Sequence, residues 1–377
     1  MSARKQVFVL MINALFAFCS TTTVAADRAN RSEQIWMLIK GYSDYDKTGE
    51  KRNSVNIKSY GQKTIYPPAE FSDEQYGPLF ETPSNLAAVV VRKHKLVFER
   101  YSQERNIDRS TALNGMSMAK SAMSAVIGTL LCRGLIHSLA DPVKKYAPVL
   151  SDSAYADIPL KDVLQMRSGV SEKGRAGEGR LIASVLGLGK YEGQGSLVRT
   201  LLEFDNAVTK PGYRFNYHQT DALVLSLVAE GASSKPVSDL FYSEIYSAYS
   251  DSGRIHWAAD NDGVTSTFSG LVMRGRDWAM FGQYILDEIQ NETCLGNYFS
   301  EGVRNAISTD AKDDDAKFGY MFWTKQINGV PILHFRGQGG QLLVMDSETN
   351  TSIFTSSTSP SYPSGSLFSN LEAYLSR

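Results

Sequence analysis

The segment from Ser110 to Cys132 carries a single charged side chain, that of Lys120, although 21% of the whole chain is charged. Its apolar residues would surround a helix on nearly all sides, so the sequence predicts a helix buried in the centre of a globular fold. Gly134 fits the end of this helix, because glycine readily adopts the left-handed conformation that follows a helix C-terminus. A buried helix with one lysine constrains the fold strongly.

That lysine lies three residues after Ser117, which places both side chains on one face of the first helical turn. A lysine amine among apolar side chains loses hydration, so its pKa is expected to fall and the neutral amine can accept a proton from a hydroxyl. Ser117 and Lys120 are therefore predicted to be a nucleophile and its base. In the structural alternative, Ser117 caps the helix and Lys120 extends its ammonium group to water.

Composition limits the classes of function that remain. The chain has 377 residues, is 42% hydrophobic and has a formal net charge of -1, which suits one large domain or two closely packed lobes. The near-neutral balance provides no basic surface for nucleic acid or an anionic membrane, so neither partner is expected. The few cysteines and scattered histidines assemble no zinc site, and no metal or cofactor is predicted.

The N-terminus has the pattern of a secretory signal peptide. Arg4 and Lys5 precede an apolar stretch, and the small residues before Ala26 predict cleavage after it, which makes residues 1–26 the signal peptide. The apolar stretch is too short to span a bilayer, so stable membrane insertion is not expected. Phe18 disfavours lipid attachment at Cys19, because such sites usually need a small residue before the cysteine. The mature protein is predicted to be periplasmic or secreted.

Cleavage would leave two cysteines, Cys132 and Cys294. An oxidising compartment permits a disulfide, but nothing in the spacing shows that the two residues meet. Cys132 is interpreted as a small buried hydrophobic residue at the end of the apolar helix.

The remaining elements predict an α/β core with a helical insertion. Residues 27–82 are interpreted as an N-terminal extension, in which 44–49 begins like a calcium loop but Val55 replaces the required glutamate, so a turn is expected. Residues 86–91 and 96–101 predict a hairpin. Further helices are predicted at 158–166, 221–231, 276–286 and 367–375, strands at 318–325, 331–335, 341–345 and 351–356, and a long loop at 171–195.

Several motifs in order resemble the serine β-lactamase and penicillin-binding-protein superfamily. The chain looks most similar to the class C-like branch that includes 6-aminohexanoate-dimer hydrolases and related carboxylesterases. The matching segments, from roughly Leu86 to the C-terminus, are the Ser-x-x-Lys of residues 117–120, the Tyr-x-Asn-like segment 211–219, and the segments 141–143, 160–169 and 270–283.

The resemblance implies an α+β fold, an antiparallel sheet flanked by helices with an inserted all-helical lobe. It places a hydrolase domain at 83–377 and the lobe at about 116–255. Ser117 would attack an acyl carbon, Lys120 would hold its proton, and Tyr217 would pass the proton to the leaving group. The backbone N–H groups of Ser117 and Gln338 would stabilise the oxyanion. Gln219, Arg336 and Gly337 would contact the substrate.

Two positions depart from the family pattern. Gln219 stands where the family has asparagine, one methylene shorter, which weakens the expected contact with a substrate amide. Phe335-Arg336-Gly337 stands where β-lactamases have Lys-Thr-Gly, so an aromatic residue replaces the cation that would hold a substrate carboxylate. Arg336 is a candidate for that role from the next position, with a solvent-facing side chain as the alternative.

Four interpretations follow. The preferred one is a secreted serine hydrolase acting on small esters or amides, with its oligomeric state open. The second is a penicillin-binding D,D-peptidase or β-lactamase, and the third is a non-catalytic periplasmic homologue. The fourth treats residues 115–119 as the nucleophile elbow of an α/β-hydrolase. An elbow needs a strand before the serine, and residues 111–114 are a poor strand. It also needs a histidine late in the chain, for which His334 is the candidate. His218 is expected to point away from the serine.

Overall fold

The computed structural model describes residues 73–170, 196–202, 207–250, 255–309, 316–359 and 374. The signal peptide, the calcium-like segment, the loop at 171–195 and the closing helix, apart from Tyr374, lie outside the described residues. The predictions made for those segments therefore stay predictions.

The fold is built on an antiparallel sheet whose described strands run in the order β2-β1-β11-β10-β9-β8-β7-β6. A second, smaller antiparallel sheet has the order β3-β5-β4. The strands are β1 (Asn85–Arg92), β2 (Lys95–Tyr101), β3 (Ala112–Asn114), β4 (His256–Trp257), β5 (Leu271–Arg274), β6 (Ile307–Ser308), β7 (Lys317–Phe318), β8 (Trp323–Ile327), β9 (Val330–Gly337), β10 (Gln341–Asp346) and β11 (Thr351–Ser357).

The predicted hairpin is present. Its turn residues, Lys93 and His94, have φ angles of 47° and 63°, which is the left-handed conformation that two-residue hairpin turns require. β1 is almost entirely buried and lies between β2 and β11. β1 is therefore an interior strand of the sheet.

The described helices are α1 (Asp73–Tyr76), α2 (Met118–Cys132), α3 (Leu160–Leu164), α4 (Leu197–Leu202), α5 (Thr220–Ser233), α6 (Val237–Phe241), α7 (Ser247–Tyr249), α8 (Gly275–Gln290) and α9 (Cys294–Arg304). A π-helical turn (Tyr242–Tyr246) joins α6 to α7, and short 3-10 turns occupy 77–80, 143–145 and 148–150. None of the described helices is long and apolar enough to cross a membrane.

Helices cover the large sheet on one face, and the N-terminal segment covers the other. α8 packs on β1, β10 and β11, where Trp278 stacks on Phe354 with ring centroids 6.1 Å apart. On the opposite face, Tyr76 and Leu79 join a buried cluster with Ile332. Part of the predicted N-terminal extension is thus a layer of the domain. The arrangement is the predicted α+β fold, an antiparallel sheet flanked by helices.

α2 is the buried helix that the sequence predicts. Most of its residues, from Met118 to Leu130, are fully buried, and it packs against α5, α6 and α9. Gly134 follows its C-terminus with a φ of 69°, as expected for a glycine in that position.

Two strand predictions differ from the structure. The strand expected at 318–325 is divided, because the chain turns inward between β7 and β8 so that the Met321 N–H donates to the Leu164 carbonyl at 2.8 Å. The Met321 carbonyl in turn accepts from the Ser121 hydroxyl of α2 at 2.7 Å. Conversely, Ala112–Asn114 does form a short strand, β3, because β5 offers it a pairing partner.

The interpretation of Cys132 as a free buried residue is wrong. Cys132 and Cys294 form a disulfide between the C-terminus of α2 and the first residue of α9. The residues are 162 positions apart, and it is the packing of α9 on α2 that brings them together. Ser124 and Tyr298, for example, share a hydrogen bond of 2.9 Å between the same two helices.

Candidate active site

The candidate active site begins at the turn between β3 and α2. The Gly115 N–H donates to the Leu271 carbonyl at 3.0 Å, which ties the turn to β5. The Asn114 side-chain oxygen accepts the Met116 N–H at 2.8 Å, and Met116 has a left-handed φ of 52°. Asn114 is fully buried, so a satisfied local hydrogen bond fixes the direction in which the chain delivers Ser117.

Ser117 and Lys120 are in contact, as the spacing predicts. Lys120 Nζ lies 3.1 Å from Ser117 Oγ and 3.0 Å from the carbonyl oxygen of Phe268. Lys120 is 1% exposed, so its amine does not reach bulk water, whereas Ser117 is partly exposed. Ser117 occupies the N-cap position of α2, but its side chain makes no capping hydrogen bond. Neither half of the structural alternative matches this geometry.

Tyr217 lies beside the pair. Its ring centroid is 5.0 Å from Lys120 Nζ. The segment that carries it has no regular secondary structure and is anchored by the Asn216 N–H, which donates to the Met166 carbonyl at 2.8 Å. The third predicted residue of the proton path is therefore adjacent to Lys120.

His218, directly after Tyr217, contacts the first turn of α5. His218 is buried, with Nε2 3.3 Å from an Asp221 carboxylate oxygen and Nδ1 2.6 Å from the Thr220 hydroxyl. Both partners belong to the first turn of α5. The expectation that His218 points away from the serine rested on strand alternation, which does not apply because the segment is not a strand. Gln219 occupies the N-cap position of α5 without a side-chain capping bond, next to the Tyr217 segment, and its contact with substrate stays a prediction.

Four aromatic rings, three of them half-buried and the fourth fully buried, form a cluster beside the site, which sequence reasoning missed. The rings of Phe215, Tyr217, Phe318 and Trp323 lie 5.0–6.5 Å from one another. Phe318 and Trp323 come from strands about a hundred residues further along the chain. Their only sequence signal is the aromatic density around 318–323, which does not indicate a site without the fold.

Arg336 lies against this cluster. Its guanidinium carbon is 4.8 Å from the Trp323 ring centroid, a distance at which a cation is attracted to the ring face. Arg336 is 5% exposed, so the solvent-facing alternative is wrong. It remains the candidate for holding a substrate carboxylate.

Phe335 stands at the sequence position of the β-lactamase cation, but its side chain belongs to the core. It is fully buried and packs against Phe281 of α8 at 5.9 Å between ring centroids. Because side chains alternate along a strand, Phe335 points into the core while its neighbour Arg336 points to the other face.

Gly337 brings β9 against the nucleophile turn. A Cβ atom on Gly337 would lie 2.2 Å from the Gly115 carbonyl oxygen and 3.1 Å from the Met116 Cβ. Only glycine allows the two backbones to approach this closely. Gln338 follows at the exposed end of the strand, in the position from which a backbone N–H is predicted to complete an oxyanion site.

Replacing Gly337 by alanine is expected to separate β9 from the nucleophile turn, because the added methyl group meets a backbone oxygen that cannot rotate away. We expect kcat for ester hydrolysis to fall about a hundredfold, the usual cost of a misplacement of about 1 Å. Esterase kinetics measure this. Gly329→Ala is the control, since an added Cβ there meets nothing within 4 Å, although its φ of 81° carries strain of its own. Wild-type kinetics in Gly337→Ala would contradict the assignment.

The α/β-hydrolase interpretation does not fit the site. A short strand does precede the serine, but the group hydrogen-bonded to Ser117 is Lys120 and not a histidine. His334 is fully buried within β9, and burial lowers its pKa well below the usual value.

A metal centre is likewise not supported. Within the described ranges, no group of three or more histidine, cysteine, aspartate or glutamate side chains is arranged to hold a metal ion.

Comparison with known proteins places the chain among hydrolases. The model of a family described as beta-lactamase matches residues 83–367. No curated protein matches the sequence significantly. Among solved structures, a Bacillus anthracis protein provisionally described as a 6-aminohexanoate-dimer hydrolase is similar, with a TM-score of 0.74 and 17% identity over 91% of this chain and 92% of that chain.

Two further solved structures are similar in fold. A family VIII carboxylesterase has a TM-score of 0.60 and 14% identity over 80% of this chain and 94% of that one. A protein from Bacteroides dorei DSM 17855, provisionally described as a β-lactamase, has a TM-score of 0.60 and 19% identity over 80% of this chain and 99% of that one. At these identities the likeness concerns the fold.

Proposed function

The chain belongs to the beta-lactamase family, and on that basis we propose that it is a secreted serine hydrolase that forms an acyl-enzyme at Ser117 and acts on small esters or amides. The observation that carries the proposal is the contact of 3.1 Å between Ser117 Oγ and Lys120 Nζ at a lysine that is 1% exposed. Desolvation disfavours the ammonium form of such a lysine relative to the amine, which is the form that can take a proton.

The proton path follows from the three side chains. Ser117 Oγ attacks the acyl carbon and its proton passes to the Lys120 amine, while the Phe268 carbonyl holds the amine in place through a hydrogen bond of 3.0 Å. Tyr217, whose ring lies 5.0 Å from Lys120 Nζ, relays a proton to the departing alkoxide or amine. Water then attacks the acyl carbon and gives a proton to the same groups. The bond to Ser117 Oγ breaks, the oxygen takes that proton back, and the carboxylic acid is released.

Charge on the acyl oxygen is stabilised by two backbone N–H groups, those of Ser117 and Gln338. The close approach of Gly337 to Gly115 supports this pairing, because it brings the end of β9 to the start of α2.

The aromatic cluster suits small apolar acyl or alcohol groups. A penicillin-binding or β-lactamase activity is the second candidate, favoured by one observation, the position of the Arg336 guanidinium on Trp323. Such substrates carry a carboxylate that a cation can hold. The third candidate, a non-catalytic homologue, would have no reason to retain a buried lysine in contact with a partly exposed serine.

Secretion is part of the proposal. The signal peptide pattern at residues 1–26 supports it, and so does the disulfide between Cys132 and Cys294, since disulfides persist in oxidising compartments such as the periplasm.

Covalent labelling tests the proposed function. A fluorophosphonate or another serine-acylating probe is expected to add one equivalent to the protein, and peptide mass spectrometry should locate the adduct on Ser117. The matched control is Ser121→Ala, one turn further along α2, whose hydroxyl bonds the Met321 carbonyl; it should still be labelled. Labelling that persists in Ser117→Ala would contradict the proposal. Turnover of short nitrophenyl esters, small amides and a chromogenic cephalosporin then separates the two catalytic candidates.

A further inference from the structure

The residue after Tyr217 belongs to a buried polar network that the proton path does not use. Its members, here the His218 network, are at most 3% exposed: Tyr155, His218, Thr220 and Asp221. Tyr155 lies between the 3-10 turn at 148–150 and α3, whereas the other three lie at the start of α5 or just before it. Two separate parts of the chain therefore meet at the residue next to Tyr217.

Short polar contacts join the His218 network. His218 Nδ1 shares a hydrogen bond of 2.6 Å with the Thr220 hydroxyl, and Nε2 lies 3.3 Å from an Asp221 carboxylate oxygen. The Tyr155 hydroxyl donates to that same oxygen at 2.9 Å and lies 2.8 Å from the Thr220 hydroxyl. Burial raises the pKa of Tyr155 well above its usual value, and the nearby charge of Asp221 adds to the rise. The hydroxyl therefore keeps its proton and remains a donor.

Polar side chains are a costly choice in this position. Burying them costs free energy that apolar side chains of similar size would avoid, and residues 222–229 of the adjoining helix are all buried. What a hydrogen-bonded network supplies instead is fixed geometry, because its bonds are directional and its members hold one another. The His218 network is therefore best explained by something whose position it fixes.

Tyr217 is the residue that this network is placed to fix. The neighbour before it, Asn216, donates its backbone N–H to the Met166 carbonyl at 2.8 Å. The neighbour after it, His218, is joined to the first turn of α5. The segment has no regular secondary structure, so these two anchors take the place of a ladder of backbone hydrogen bonds.

The first turn of α5 is also connected to the lysine. The Ala222 carbonyl accepts the Thr267 hydroxyl at 2.6 Å, and the carbonyl of the next residue, Phe268, lies 3.0 Å from Lys120 Nζ. Tyr217 and Lys120 are thus both held with reference to the same helical turn.

We propose that His218 is a positioning residue, which through its network holds Tyr217 where it can give a proton to the leaving group. The proposal rests on the proposed serine hydrolase function, and it assigns to His218 no contact with substrate. Alkoxides and amines are strong bases that need such a proton to depart, whereas nitrophenolate is a weak base that departs without one. The His218 network therefore matters for alkyl esters and amides.

The experiment compares two esters of one acid, ethyl butyrate and nitrophenyl butyrate. His218→Leu loses both polar contacts, so kcat/KM for ethyl butyrate should fall about a hundredfold, the usual cost of a misplacement of about 1 Å. The value for nitrophenyl butyrate should fall less than about threefold. His218→Asn, whose amide group takes the place of Nδ1, should recover most of the loss. In a Tyr217→Phe background, which lacks the relaying hydroxyl, His218→Leu should cost no further activity on ethyl butyrate.

Tyr155→Phe tests the same network by a smaller change, and it serves if His218→Leu does not fold. It removes one hydroxyl with its contacts to Thr220 and Asp221, so kcat/KM should fall about tenfold for ethyl butyrate and little for nitrophenyl butyrate. The matched control is Tyr298→Phe, which removes another buried tyrosine hydroxyl, the partner of Ser124 at 2.9 Å. It should keep the wild-type ratio of the two activities.

A merely structural role would lower both activities by the same factor. A wild-type ratio of the two kcat/KM values in Tyr155→Phe, and in His218→Leu where it folds, would therefore overturn the inference. Wild type that hydrolyses nitrophenyl butyrate but not ethyl butyrate would overturn it too, while leaving the proposed function in place.

Hydrogen exchange of the Asn216 N–H gives a readout that does not depend on turnover. Because this group donates to the Met166 carbonyl, it should exchange faster in the network variants than in wild type or Tyr298→Phe. If wild type showed neither turnover nor labelling at Ser117, faster exchange in the network variants would count against the proposed function alone. Unchanged exchange would then overturn both proposals.

Discussion

Replacing Lys120 by methionine is expected to lower kcat/KM for short nitrophenyl esters by about 10³- to 10⁴-fold, because the variant loses the group that accepts the Ser117 proton. Methionine is close to lysine in shape and is apolar. The buried site, 1% exposed in wild type, therefore loses an amine without gaining an unpaired charge. The fold should persist, so the loss reports on chemistry. Single-turnover kinetics with a chromogenic ester should show that acylation is the step that slows.

Thr129→Val is the control on the same helix. Its hydroxyl donates to the Ala125 carbonyl within α2 at 2.9 Å, close to the disulfide end and away from Ser117, and its loss should change kcat/KM less than threefold. A Lys120→Met variant that keeps more than a tenth of wild-type kcat/KM would show that another group takes the proton, and the role assigned to Lys120 would be wrong.

Removal of the disulfide should produce the largest change in stability. Converting both Cys132 and Cys294 to serine is expected to lower the free energy of unfolding by about 2–5 kcal/mol, because the bond closes a long loop in the unfolded chain. The two residues are 162 positions apart. Urea denaturation followed by circular dichroism measures the change, provided that the transition is two-state.

Activity separates this structural role from a catalytic one. The disulfide joins the C-terminus of α2 to α9, whereas Ser117 precedes the N-terminus of α2. Under conditions well below its unfolding transition, the double variant should therefore hydrolyse esters at a rate within about twofold of wild type. Wild-type protein reduced with dithiothreitol should have the same free energy of unfolding as the double variant. Equal stability with and without the bond would contradict the assignment.

The sequence was sufficient for the features that depend on short-range spacing. An apolar helix with one lysine three residues after a serine can place the two side chains only on one face, so burial and contact followed from the pattern alone. The hairpin of β1 and β2 was predictable for the same reason, since its two apolar runs flank a short turn.

Features that depend on distant segments were not predictable. The Phe268 carbonyl that holds Lys120, and the Trp323 ring that meets Tyr217, come from parts of the chain more than a hundred residues away from those partners. Cys132 and Cys294 gave no signal of their pairing, because only the packing of α9 on α2 decides it. The break between β7 and β8 was missed because Met321 turns inward to meet Leu164. The hydrophobic pattern of the sequence does not indicate such a turn.

The orientation of β9 has a practical consequence for protein engineering. Phe335 packs in the core and Gly337 has no room for a side chain. In a combinatorial library that randomises residues 335–337, most substitutions at these two positions would therefore give variants that do not fold or assemble correctly. Diversity intended to broaden or redirect the accepted substrates belongs at Arg336, Trp323 and Phe215, because the Trp323 ring contacts both the Arg336 guanidinium and the Phe215 ring.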